Sequence, residues 1–243
     1  MDQSLKLDIL AIVAHPDDLE LAGSGTVVKA IRAGKKVGIL DLTRGEMSTR
    51  GTAEIRAAEA ARATEIMGLH VRENAELPDG FIADTREQQL AIIPFIRKYR
   101  PDIVIANALE DRHPDHGAAA ALTARACFLS GLSALKTESS DGSNSAWRPR
   151  AVYHMIQDRY LKPDFVVDIS DTWGTKLEAI RAFSSQFFTG EKDDQPQTPI
   201  STPDFMKFLE ARAREMGRLI FVEYGEGFNV QRPVGVNDIT ALT

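Results

Sequence analysis

Short β-branched apolar runs alternate along the chain with longer stretches in which apolar residues recur at helical spacing. The short runs predict strands at about Leu7 to Ala14, Lys36 to Leu42, Asp102 to Ala106, Ala151 to Met155, Phe165 to Asp168 and Leu219 to Glu223. The helical stretches are Gly25 to Ala33, Thr52 to Met67, Thr85 to Tyr99, Pro114 to Phe128, Thr172 to Phe183 and Pro203 to Gly217. Thr52 or Thr49 is placed to cap the second helix, Gly68 to close it in the left-handed conformation, and the third stops before Pro101. Strands alternating with helices imply parallel strands joined by crossovers, and the continuous apolar run Ile103-Val104-Ile105 implies a sheet covered on both faces. The expected fold is α/β, a Rossmann-like three-layer sandwich with a mostly parallel sheet. In such a sheet, ligands sit beyond the carboxyl ends of the strands.

Glu138 to Arg150 and Gly190 to Pro203 break the rhythm with turn-forming residues and read as long surface loops, the second suited to a loop or lid near a site. No internal repeat or second domain is visible, so residues 1–243 read as one domain.

Composition narrows the class. With 43% hydrophobic and 26% charged residues the chain is an ordinary globular one, and no apolar run approaches the ~18 residues of a membrane span. The amino terminus lacks a basic patch followed by an apolar stretch, and the lone Cys127 has no partner for an internal disulfide, so a cytoplasmic location is expected. A net charge of −6 argues against nucleic acid as the main partner. A small-molecule anion remains compatible, since one pocket arginine binds a carboxylate whatever the global charge.

The chemistry concentrates in two clusters. Ala14-His15-Pro16-Asp17-Asp18 stands where the first strand should end, and Asp111-Arg112-His113-Pro114-Asp115-His116 follows the strand at Asp102 to Ala106. Each alone is also good turn and capping chemistry, with Asp17 or Asp115 satisfying backbone donors. Together they weigh differently. Of the five histidines, His15, His113 and His116 fall in these clusters, on strands expected to share one sheet edge. Two imidazoles and one acid meet the three-ligand, one-open-position pattern of catalytic zinc, and a further acid can carry protons. His70 reads as a surface loop residue and His154 as a strand residue with a satisfied ring. Gly23-Ser24-Gly25-Thr26 looks superficially like a phosphate loop but lacks the lysine, and reads as a helix start packed close to the site.

The two His-Pro-Asp clusters, with Asp41-Leu42-Thr43-Arg44-Gly45-Glu46 followed by Glu54-Ile55-Arg56, resemble the LmbE-like (PIG-L) zinc-dependent N-deacetylases. The similarity leans to the bacillithiol-biosynthesis branch, which deacetylates N-acetylglucosaminyl malate. It extends through Lys162 to Asp168, Lys176 to Ile180, Ser185-Gln186-Phe187 and Tyr224 to Phe228 with Arg232-Pro233. The resemblance implies His15, Asp18 and His116 as ligands of one Zn2+, with Fe2+ or another divalent metal as alternative. It implies Asp17 as the general base toward the metal-bound water, and His113, as imidazolium, as stabiliser of the oxyanion or proton donor to the leaving amine. It implies Arg56 on the polar or carboxylate part of the substrate, against a bland reading as a solvated helix charge; Glu46, at the end of the second strand, is a turn acid by default and a substrate-side pocket acid if the sheet geometry holds. Related enzymes can bring a loop tyrosine to the oxyanion, but Thr198 to Met206 holds Phe205 and no tyrosine.

The resemblance thus implies a hydrolase acting on a small-molecule amidosugar, and a homo-oligomer, hexameric in relatives. The alternatives are another amidosugar substrate (a mycothiol precursor, a chitooligosaccharide or an antibiotic intermediate) and a metal- or sugar-binding module without turnover.

Overall fold

The structure is a computed structural model and describes residues 5–137, 145–187 and 195–241. Its strands are β1 (Ile9–Val13), β2 (Val37–Asp41), β3 (Val71–Asn74), β4 (Ile103–Ala106), β5 (Ala151–Met155), β6 (Phe165–Asp168) and β7 (Gly225–Val230). The helices are α1 (Asp18–Ala22), α2 (Ser24–Arg32), α3 (Ala53–Met67), α4 (Arg86–Tyr99), α5 (Pro114–Ser130), α6 (Trp173–Arg181) and α7 (Phe205–Arg218). The strands form one sheet in the order β3-β2-β1-β4-β5-β7-β6; β1 to β5 run parallel, and β7 runs antiparallel to both β5 and β6. The expected α/β sandwich with a mostly parallel sheet is thus observed, closed by an antiparallel end.

β1 is buried along its whole length, and its alternating side chains divide the core. Ile9, Ala11 and Val13 pack with α2, α3 and α6 on one face, while Leu10, Ile12 and Ala14 pack with α4 and α5 on the other. This is why the strand reads as a continuous apolar run rather than an alternating one. Thr52 caps α3 by accepting the Ile55 N–H, and Gly68 closes it at φ 73°. Among the described residues no helix is long and apolar enough to cross a membrane.

One predicted strand is wrong. Leu219 to Glu223 is not extended; α7 ends there in turns, with the Val222 N–H returning to the Gly217 carbonyl and Phe221 left-handed and exposed. The apolar run Leu219 to Val222 mimics a strand, whereas the real strand, β7, carries Gly225 and Gly227 and so reads as a turn. Glycine is required at 225 by close packing: a Cβ there would lie 2.7 Å from Val166 Cγ1 and 2.8 Å from the Gly217 backbone nitrogen. The sequence reading also missed β3, a half-buried edge strand with the single apolar residue Val71, and the short α1. Parts of both expected loops, residues 138–144 and 188–194, lie outside the described residues.

Candidate metal centre

The strand order reverses direction of travel at β1 and β4, and the two chemical clusters leave the carboxyl ends of those neighbouring strands. Such a switch point opens a crevice by topology alone. The Ala14 N–H donates to Asn107 Oδ1 at 2.8 Å, tying the end of β1 to the residue just past β4. Pro114 occupies the first position of α5 behind the capping His113, so His116 lies in the first helical turn.

His15, Asp18 and His116 converge. His116 Nε2 lies 3.0 Å from Asp18 Oδ1, His15 Nδ1 lies 3.5 Å from Asp18 Oδ2, and the two ring centroids are 5.6 Å apart. All three side chains are buried. The outer nitrogens are engaged by carboxylates: His116 Nδ1 meets Asp111 Oδ2 at 2.5 Å, and His15 Nε2 meets Asp79 Oδ1 at 3.1 Å with Asp115 Oδ2 at 3.4 Å. These contacts fix both tautomers and leave His116 Nε2 and His15 Nδ1 turned toward Asp18. Asp18 is itself oriented by donors, Oδ2 accepting from the His15 N–H and Asn107 Nδ2, and Oδ1 from Gln157 Nε2.

The electrostatics favour a cation. Burial alone would lower both histidine pKa values, yet His15 is raised by hydrogen bonds to Asp115, Asp18 and Asp79, and His116 is raised to about 9 by the Asp18 charge and its bonds to Asp111 and Asp18. Without a metal, protons on the rings offset part of the surrounding carboxylate charge, a role a divalent ion would take over when the protons leave. Borderline-soft nitrogen donors with one carboxylate suit zinc or a similar transition metal. His113 also lies within range of His15 and His116 to complete a three-histidine group. Its Nδ1, however, accepts the Asp115 N–H at 3.3 Å, so the neutral ring carries its proton on Nε2 and acts there as a donor rather than a ligand. Burial and the neighbouring imidazoles His15 and His116 lower its pKa, favouring that neutral form.

Asp17 stands beside the cluster in a strained backbone conformation, φ 120°. Strain of this kind persists only where surroundings enforce it, and it gathers at functional sites. Here Arg56 enforces it: Nη2 bonds Asp17 Oδ2 at 2.8 Å and also the Pro16 carbonyl oxygen. Burial lifts the Asp17 carboxyl well above the ordinary range, the Arg56 charge opposes this, and the Asp18 charge adds to it. Gly45, at φ 66°, makes room for the guanidinium, since a Cβ there would stand 2.6 Å from Arg56 Nη1.

Arg56 is therefore a buried partner of Asp17 as well as a lining residue of the cavity, not a solvated helix charge. Glu46 is exposed and outside the cavity lining; its carboxylate accepts the Asp79 N–H at 2.9 Å and so braces the loop that holds His15. His154 is fully buried, with Nδ1 3.0 Å from the Asn107 carbonyl, and His70 lies exposed at the opposite, amino-terminal edge of β2. The cavity over the cluster measures about 360 Å³ and is walled on its far side by Ile200, Phe205, Phe208 and Leu209. Sequence reasoning gave no role to Asp79, Asn107, Asp111 or Gln157. Asn107 and Gln157 stand one and two residues past the ends of β4 and β5, a positional signal; Asp79, in the loop after β3, had none.

The family model described as GlcNAc-PI de-N-acetylase (PIG-L) matches residues 10–127. The diacetylchitobiose deacetylase of Thermococcus kodakarensis is 32% identical over 189 residues, covering 74% of this chain and 70% of its own. A conserved protein of Thermus thermophilus, solved as a crystal structure, superposes with a TM-score of 0.85 at 36% identity, covering 96% of this chain and 98% of its own. The N,N'-diacetylchitobiose deacetylase of Pyrococcus horikoshii, solved with an inhibitor, gives 0.75 at 26% identity, over 92% and 83%.

Proposed function

This chain belongs to the PIG-L family of de-N-acetylases, and from that premise we propose that it hydrolyses the acetamide of an N-acetylglucosamine conjugate, with N-acetyl-α-D-glucosaminyl L-malate as substrate. The observation that carries the reading is the convergence of His15, Asp18 and His116 at one point beside the buried, strained Asp17. Those three residues would hold a zinc ion, or Fe2+ in its place, which would supply the Lewis acidity that acidifies a water and polarises the acetyl carbonyl.

The protein groups do the rest. Asp17 accepts the proton of the attacking water, and its raised pKa makes it a stronger base than an ordinary aspartate of pKa ~3.9. Arg56 occupies Asp17 Oδ2, so Oδ1 is the oxygen that takes the proton. His113 donates a hydrogen bond from Nε2 to the carbonyl oxygen as negative charge grows on it, and the proton that Asp17 takes from the water passes to the departing amine. Asp111 and Asp79 keep the ligand imidazoles in register.

Two relatives named as acting on diacetylchitobiose support an amidosugar substrate and keep a chitooligosaccharide as the second reading. Zinc-loaded protein is expected to release acetate faster from N-acetylglucosaminyl malate than from diacetylchitobiose or free N-acetylglucosamine. Stoichiometric zinc without acetate from any of the three would defeat the enzyme reading, and a preference for diacetylchitobiose would transfer it to the second substrate.

A further inference from the structure

A conjugate with an anionic aglycone needs a cationic partner in the cavity. Of the arginines that line it, Arg56 is committed to Asp17 and the Pro16 carbonyl, and Arg112 pairs with Asp158 Oδ2 at 3.3 Å. Arg212, on α7, differs. It is half-buried, its Cζ stands 4.7 Å from the centre of the Phe208 ring, and among the described residues its one hydrogen-bond partner is the Asp158 carbonyl oxygen. A guanidinium has five N–H donors in a planar fork matched to carboxylate or phosphate. Stacking on an aromatic face restricts that plane and leaves its donor edge available. Burial lowers the Arg212 pKa, the charges of Asp158, Asp111 and Glu215 oppose this, and among the described residues no carboxylate lies within ion-pair distance of the guanidinium. The neighbouring side chains Phe205 and Leu209 are apolar and supply no competing acceptor.

We infer that Arg212, stacked on Phe208, determines aglycone specificity: it receives an anionic group, carboxylate or phosphate, on the part of the amidosugar away from the acetamide. The hexosamine hydroxyls carry no charge and the acetamide is taken by the Asp17 and His113 end, so the anion must belong to the aglycone. This inference rests on the deacetylase reading, and its test separates the two.

The zinc-loaded wild type, Arg212→Gln and Arg212→Lys are titrated by calorimetry with three amines that cannot turn over: glucosaminyl malate, glucosamine 1-phosphate and methyl glucosaminide. Acetate release is measured in parallel on the N-acetyl forms. At least one anionic ligand should bind the wild type about tenfold or more tighter than the methyl glycoside. Arg212→Gln should erase that preference while leaving methyl glucosaminide binding unchanged, and Arg212→Lys should restore part of it. With turnover, the loss should fall on KM for the anionic substrate and spare kcat.

An equal loss for charged and neutral ligands would make Arg212 a strap between α7 and the loop at Asp158, and would overturn the inference. So would a wild type that shows no preference for an anion. If the preference and its loss are seen but no substrate yields acetate, the deacetylase reading fails and Arg212 stands. If acetate is released and Arg212→Gln changes nothing, the reading stands and the inference fails.

Discussion

Two buried ionic clusters lie at opposite ends of α1, and they are built on different principles. At one, Glu226 on β7 accepts the Gly25 N–H at 3.0 Å, the Thr26 N–H at 2.7 Å and the Thr26 hydroxyl at 2.6 Å, and pairs with Lys176 Nζ at 2.7 Å. Lys176 also donates to the Leu21 carbonyl at 2.8 Å. One negative and one positive charge cancel, and the carboxylate fills the anion-seeking start of α2. At the other, Asp18, Asp79, Asp111 and Asp115 surround His15 and His116, and protons on the two rings offset only part of the four carboxylate charges. A cluster that neutralises itself has no use for a ligand. One that needs borrowed protons exchanges them for a dication.

The widest split between the two clusters comes from removing a ligand. His116→Ala or Asp18→Ala should leave the protein folded, its Glu226–Lys176 pair intact, while zinc content measured by mass spectrometry falls to background and acetate release is lost. The exchange of protons for metal has its own signature. Because the neighbouring carboxylates raise the metal-free His15 and lift His116 to about 9, binding a metal must release protons from these rings. Apparent zinc affinity should rise with pH through neutrality, and calorimetry in buffers of different ionisation enthalpy should count protons released. Affinity independent of pH would remove the charge argument.

Asp17→Asn should sharpen the distinction inside the site itself. With the metal ligands untouched, zinc should remain stoichiometric, while kcat falls by about 10²- to 10⁴-fold through loss of the proton acceptor. Substrate KM should change little. Loss of zinc together with activity would instead place Asp17 among the ligands.

The self-neutralising cluster should fail in stability alone. Glu226→Gln leaves Lys176 buried without its counter-ion, which costs about 3–5 kcal/mol in urea denaturation. Zinc stoichiometry at saturating metal should not move. Replacing both partners together, Glu226→Leu with Lys176→Met, removes the unpaired charge but strands the Gly25 and Thr26 donors and the Leu21 carbonyl, so it should recover only part of that loss.

The contrast also explains what was legible in the sequence. His15, Asp17, Asp18, His113 and His116 announced themselves because rare residues are crowded into two short turns, and the strand order brings those turns together. The Gly23 to Thr26 segment was read as a helix start, but its anion, Glu226, lies about two hundred residues away and no local pattern links the two. Asp79 stands 64 residues from His15 in sequence and reaches it only through the loop after β3. β7 stayed hidden because its glycines answer to close packing against α7 and β6, a tertiary demand that looks like a turn when read locally.

Asp111 probes how far the site's charge reaches beyond the ligands. Its side chain is fully buried, with Oδ2 on His116 Nδ1 at 2.5 Å and Oδ1 accepting the Arg159 N–H at 2.8 Å. Asp111→Asn keeps the shape and an oxygen for the His116 N–H but removes the negative charge that makes the ring a better donor to metal. Loss of such an outer partner typically costs about 10- to 100-fold in metal affinity or activity. Competition against a zinc chelator should therefore show affinity weakened within that range, with kcat at saturating zinc nearly unchanged. The His116 pKa should fall too, since the Asp111 contact is among the causes that raise it, so fewer protons should be released at pH 7. Weaker zinc binding with an unaltered proton count would show that Asp111 acts by geometry alone.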